Sequence, residues 1–151
     1  MDWKDKKVMV TGSEGLIGKE LVRLLINLGA KVIEIDLKKG FDLTDKNMVD
    51  IIFDGYKPEY VFHLAGVKGN PKMTREKPVD FMQPMILFDT NCICAAQKHN
   101  AKRFLYTSSI AVEHPETDKY PAWAKMTGET LIEAMRMQYP IKYAISKQLY
   151  N

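Results

Sequence analysis

Gly12, Gly15 and Gly18 lie in the stretch Thr11-Gly12-Ser13-Glu14-Gly15-Leu16-Ile17-Gly18, where the apolar run Val8-Met9-Val10 ends and a run of helical period begins. Asp36 closes the next apolar run, eighteen residues after Gly18. Glycines at this spacing act by having no side chain. Gly12 permits a tight turn, Gly15 lets the backbone approach a pyrophosphate, and Gly18 lets a helix pack on a sheet. The free amides at the helix start, from Glu14 through Leu16 and Ile17, receive phosphate charge. A carboxylate ending the second strand, here Asp36, accepts ribose hydroxyls and repels a 2′-phosphate. Strand, glycine turn, helix, strand and carboxylate together predict dinucleotide binding, with NAD favoured over NADP. A phosphate-free tight turn is the plain alternative.

Such a turn works only if strands and helices alternate around it, and the chain has that rhythm. Strands are expected at 7–11, 31–35, 60–64, 103–108 and 141–146, and helices at 15–28, 44–54, 80–99 and 122–138. The alternation predicts an α/β fold, a Rossmann-type doubly wound parallel sheet with helices on both faces. Gly29 stands where a helix C-cap belongs, and Thr44-Asp45 looks like the start of the second helix. Pro71 and Pro78 bracket a segment expected to remain a polar loop.

At 151 residues the chain suits one domain, 1–151, with a real core, and a 46% hydrophobic fraction argues against disorder. The net charge of +3 comes from 22 basic and 19 acidic residues with no run of like sign, so nothing asks for nucleic acid or a membrane surface. The N-terminus lacks the apolar core of a signal peptide, and no apolar run reaches membrane-spanning length. Cys92 and Cys94 lie two apart in an expected helix, so their side chains diverge by about 200° and cannot bridge. They read as packing residues of a reducing cytoplasm, and no metal site is expected.

These pieces in this order resemble the extended short-chain dehydrogenase/reductase family of sugar-nucleotide epimerases, dehydratases and reductases, over essentially the whole chain. The glycine spacing is that family's. Asp42-Leu43-Thr44-Asp45 resembles its DLTD-like segment, whose first Asp usually meets the adenine edge. His63-Leu64-Ala65-Gly66 resembles its HLAG segment, where small residues let the adenosine half lie against the sheet. Phe104 to Val112 looks like the strand that delivers a catalytic Ser or Thr, with Thr107 at the cofactor. Lys125-Met126-Thr127-Gly128-Glu129 resembles the start of the helix carrying the catalytic Lys. Val67-Lys68-Gly69-Asn70, Phe81 and Thr90-Asn91 lean toward the GDP-fucose synthase branch.

The resemblance implies an NAD-dependent reaction on a nucleotide-linked sugar, by transient oxidation at a ring carbon followed by epimerisation, dehydration or reduction. It implies Ser109 as the hydroxyl, with Ser108 as runner-up, and Lys125 as the lysine that binds the nicotinamide ribose. A free phenol titrates near ~10, and that lysine would hold its tyrosine's value down. The tyrosine is where the chain departs. Pro121 stands four residues before Lys125, and Tyr120 one further back. Five positions along a helix open about 140°, but a residue preceding proline is biased out of helical geometry. Tyr120 could therefore be aimed by the loop. Tyr143 and Lys147 spell the same YxxxK pattern, but in a β-patterned run where residues four apart are about 13 Å apart. His63 and His99 read as structural.

In the family, residues like Leu149-Tyr150-Asn151 run on into a substrate domain, which is absent from this chain. A fragment of an enzyme and a catalytically silent dinucleotide-binding or scaffold module are both compatible with that. Met82, Met85, Ile86, Phe88, Met126 and Met135 suggest a homodimer through helices 80–99 and 122–138, as in family members.

Overall fold

Val8, Met9 and Val10 have no exposed surface at all, which is how a strand reads when both faces of its sheet are covered. They belong to β1 (Lys7–Thr11), an inner strand of a five-stranded sheet with β2 (Lys31–Ile35), β3 (Tyr60–His63), β4 (Arg103–Ser109) and β5 (Lys142–Gln148). The computed structural model describes residues 2–67 and 71–148. The strand order is β2-β1-β3-β4-β5, and every neighbouring pair is parallel. The winding reverses between β1 and β3, and a crevice opens at the carboxyl ends of strands at such a switch. The register sets Thr11 beside His63 there.

One face is closed by α1 (Leu16–Asn27), which lays Val22 and Leu25 on Val8 and Val10. The other is closed by α2 (Lys46–Tyr56), α4 (Pro78–Lys98) and α5 (Lys119–Gln138), with Phe53, Phe88, Cys92, Ile93 and Ile132 packed on Met9, Val61, Phe104 and Tyr106. Local chemistry sets the ends. Asp45 caps α2 by accepting from the amides of Asn47 and Met48, and Gly29 follows α1 at φ +80°, the left-handed geometry a glycine takes freely.

Four expectations need correction. The Pro71–Pro78 segment contains a short helix, α3 (Pro71–Glu76), because proline suits the first turn, where its missing N–H has no partner to lose. Helix α5 begins at Lys119 instead of 122. Cys92 is buried as a packing residue, but Cys94 is exposed. Met85 and Phe88 are core residues, with Met82, Ile86 and Met135 packed against that core. The large apolar residues that α4 and α5 expose instead include Val79, Leu87, Trp123 and Met137. Among the described residues no helix is long and apolar enough to cross a membrane. Lys68-Gly69-Asn70 and Leu149-Tyr150-Asn151 lie outside the described residues.

Candidate dinucleotide site

The three glycines of the turn have three different reasons. Gly12 has φ +68°, and a Cβ there would meet the Leu64 carbonyl oxygen at 2.8 Å and the Ala65 amide nitrogen at 2.9 Å. It is therefore excluded to other residues by both angle and space. A Cβ on Gly18 would overlap the Gly12 carbonyl. Gly15 is different: φ −76°, ψ 171° is open to any residue, and an added Cβ would meet only the Gly12 oxygen at 3.1 Å. Its role is to leave room outside the turn. Gly15 caps α1 without a side-chain hydrogen bond, and Leu16 beyond it is 90% exposed. The first amides of α1 have no partner within the helix and can serve an anion. Ser13 Oγ is buried beside them with no hydrogen-bond partner among the described residues.

Beyond Gly12 lies a cavity of about 390 Å³, lined by Asp36, Leu37, Phe41, Asp42, Leu43, Thr44, Ala65, Gly66, Val67, Asp80, Pro84 and Phe88. Its rim is held from several sides. Asp42 Oδ1 accepts from both the amide and the hydroxyl of Thr44, and Asn91 of α4 donates to the carbonyls of Leu43 and Thr44. Pro84 inside α4 has no amide to offer the Asp80 carbonyl.

Asp36 ends β2 with both carboxylate oxygens engaged: Oδ2 accepts from the Glu14 amide and Oδ1 from the Lys38 amide, each at 2.9 Å. The carboxylate therefore ties the second strand to the glycine turn. Lys39 is paired with Glu34 and, at 3.5 Å, with Glu14. Glu14 also meets Lys19 at 3.3 Å, and Lys19 followed by Lys39 holds the Glu14 carboxyl below its ordinary range.

At the far side of the switch, Lys125 is directed into the core. Its side chain is 4% exposed and its Nζ lies 3.2 Å from Asp89 Oδ2, above the ring of Tyr106. The reason is periodicity: Ala122, Lys125, Gly128 and Ile132 are all buried residues of α5, one stripe of a helix that starts a turn earlier than its sequence suggests. Tyr120 lies in the first turn of the same helix, 39% exposed, with Lys119 over its ring. It is not aimed by a loop, and five positions along one helix turn it away from Lys125. Ser109 is buried, with its Oγ accepting from the Ala111 amide. Ser108 Oγ is buried with no partner among the described residues. Thr107 commits its hydroxyl proton to the His63 carbonyl at 2.7 Å.

The NAD dependent epimerase/dehydratase family model matches residues 8–148. The chain belongs to that family. Among its relatives it is 28% identical to the putative GDP-L-fucose synthase 2 of Arabidopsis thaliana, over 90% of this chain and 47% of the relative. Among solved structures, the NAD complex of the UDP-glucose 4-epimerase of Thermus thermophilus superposes with a TM-score of 0.81 at 26% identity, covering 93% of this chain and 54% of that one. The NADP-bound GDP-mannoheptose C4 reductase of Campylobacter jejuni has a TM-score of 0.82 at 22% identity, covering 93% and 50%, and shares the fold. The chain spans about half the length of the curated relatives it matches.

Set in this epimerase/dehydratase frame, the expected residues divide. Gly12, Asp36, Asp42, Leu43, Ala65 and Gly66 surround one cavity, with Glu14, Gly15, Leu16, Ile17 and Gly18 on the adjoining turn. Leu64 packs instead with the α1 face. Ser109, Tyr120 and Lys125 are not joined by any hydrogen bond among the described residues. Tyr143 donates to the Ile93 carbonyl at 3.1 Å, and burial pushes its phenol well above the ordinary value. Lys147 reaches Glu113 instead. Phe41 and Pro84 of the cavity, and Asp89 and Tyr106 of the core, were not singled out from sequence, and Phe88, expected at a dimer contact, lines the cavity. Asp89 had a signal: a lone acid on the apolar face of a long helix must meet a base.

Proposed function

We propose that this chain is the NAD-binding half of an epimerase, dehydratase or reductase acting on a nucleotide-linked sugar, in keeping with the names its relatives carry. The observation that carries the reading is the continuity of the glycine turn with the cavity between Asp36 and Asp42. The Ser13 hydroxyl, without a hydrogen-bond partner among the described residues, and the first amides of α1 suit a pyrophosphate. Asp36, Asp42, Leu43, Ala65 and Gly66 would hold the adenosine half. When bound, the cofactor supplies a hydride acceptor or donor. The chain's part is to anchor it, with Ser109 oriented by the Ala111 amide and Tyr120 as the exposed phenol available for proton transfer. NAD is favoured over NADP because Asp36 lines the cavity while the charge of Lys39 is taken up by Glu34 and Glu14. A homodimer through α4 and α5 would cover Val79, Leu87, Trp123 and Met137.

The second reading, a catalytically silent dinucleotide-binding module, is favoured by two observations: the Lys125 ammonium is held by Asp89 in the core, and Pro121 stands where the family places its tyrosine. Calorimetric titration with NAD tests the binding common to both readings. Turnover of GDP- and UDP-linked hexoses by the longer protein separates them.

A further inference from the structure

Five buried residues from five elements, with the Ala65 amide at one end, form one continuous chain. The Ala65 amide donates to Thr11 Oγ1 at 3.2 Å, and Thr11 Oγ1 lies 2.8 Å from His63 Nδ1. His63 Nε2 lies 2.9 Å from Asp89 Oδ1. Tyr106 donates its phenol proton to Asp89 Oδ2 at 2.6 Å, and the Lys125 ammonium donates to the same oxygen. Thr11, His63 and Asp89 have no exposed surface, and Lys125 has 3%. One end of the chain is at the cavity wall, since Ala65 lines the cavity. The other end is Lys125.

Counting protons gives the chain a direction. The Asp89 carboxylate only accepts, so His63 Nε2 must carry its proton. With one charge on Lys125 and one on Asp89 the cluster is already neutral, so a second proton on buried His63 would leave a net charge out of water. His63 Nδ1 is then an acceptor, and the Thr11 hydroxyl donates to it. That leaves a Thr11 lone pair for the Ala65 amide. Every donor in the chain points toward Asp89.

We propose that Lys125 is a positioning residue, acting on the dinucleotide site through Asp89, His63 and Thr11 and not by touching the cofactor. It keeps Asp89 ionised in the core, Asp89 selects the Nε2–H tautomer of His63, and His63 turns the Thr11 hydroxyl so that it holds Ala65 against the cavity. The part concerning affinity rests on the proposed NAD site. The part concerning His63 stands on the geometry alone.

Two measurements test it. Long-range 1H–15N NMR of the wild type at pH 7 is expected to show His63 neutral, protonated at Nε2 and bare at Nδ1. A proton on Nδ1, alone or in an imidazolium, would overturn the chain of donors. The second measurement is NAD affinity by calorimetry, with circular dichroism as the check of folding. Lys125→Met is expected to weaken NAD binding about tenfold, and adding Asp89→Asn to it is expected to restore most of the loss, because the carboxylate left uncompensated is then gone. A contact between the ammonium and the cofactor predicts the opposite: the double variant would bind no better than Lys125→Met. If Lys125→Met does not fold, the double variant decides alone, since near-wild-type affinity without the ammonium excludes that contact and a full loss overturns the proposal. A wild type that binds no dinucleotide would overturn the NAD site and the affinity claim, while the His63 tautomer would still decide the network.

Discussion

Lys125 Nζ lies 3.2 Å from Asp89 Oδ2, and the two side chains are 4% and 1% exposed. An ion pair this deep is expensive to desolvate and expensive to break. Removing one partner of such a pair costs roughly 3–5 kcal/mol, because the other charge is left uncompensated. The pair locks α4 to α5 beneath the end of β4, and it takes the lysine that sequence resemblance assigns to the cofactor.

The pair predicts an acid dependence of stability. Burial works to raise the Asp89 carboxyl, but the Lys125 ammonium, with the His63 and Tyr106 hydrogen bonds, outweighs it and holds the group below its ordinary value of 3.8. A carboxyl depressed in the folded state contributes stability that is present above the unfolded value and is lost as pH falls through the folded one. Urea unfolding of wild type and Asp89→Asn should therefore show a stability gap that is constant from neutral pH down to about 5 and shrinks below about 4. A gap unchanged down to pH 2 would contradict an ionised Asp89.

Two helical glycines should respond to alanine with opposite sign. Gly55 of α2 has nothing within 4 Å of an added Cβ, so Gly55→Ala should gain about 0.5–1 kcal/mol from helix propensity. A Cβ on Gly128 would strike the hydroxyl of Tyr106, the phenol that donates to Asp89. Gly128→Ala should lose about 1–3 kcal/mol through overpacking. Chemical denaturation of the two variants checks the signs. Stabilisation by both would mean that Tyr106 is not held against α5.

Cofactor choice should follow Asp36. Asp36→Ala is expected to lower the preference for NAD over NADP by about tenfold or more, chiefly by relieving repulsion of a 2′-phosphate. The same change removes the acceptor of the Glu14 and Lys38 amides, so affinity for both dinucleotides should fall together with the ratio. An unchanged ratio would place the 2′-hydroxyl elsewhere.

The outer surfaces of α4 and α5 predict self-association. Trp123 is 49% exposed and Met137 90% exposed, and a two-fold contact would place each surface against itself. Sedimentation velocity at micromolar concentration should show a dimer that Trp123→Glu dissociates. A wild type that is monomeric throughout would rule out this interface.

Much of the frame was legible in the residues. The short apolar runs predicted β1 and β2 at their observed bounds, and Gly12 and Gly29 occupy the turn and cap positions their spacing implied, while Gly18 is closed off by the Gly12 carbonyl of the turn and not by the sheet. What was not legible lies in tertiary contacts. A sequence cannot show that α5 begins at Lys119, because the bias of Tyr120 against helix before Pro121 is weak and the first turn accepts proline. That single turn decides where Tyr120 and Lys125 point. Nor does a local pattern join Asp89 to residues 26 positions before it and 36 after it. The Tyr143-Lys147 spelling was legible as strand, and strand it is: the two side chains reach Ile93 and Glu113.

In the proposed site a dinucleotide lies with its pyrophosphate on the turn at Gly15. Calorimetric titration of NAD into the wild type and into Gly15→Val tests this placement. Gly15 has ordinary backbone angles, so the variant should fold with unchanged circular dichroism, while its side chain fills the space the phosphates need. Saturable one-to-one binding by the wild type is expected, with loss of at least about a hundredfold in the variant, roughly 2.7 kcal/mol. A folded Gly15→Val that binds NAD as well as the wild type would contradict it.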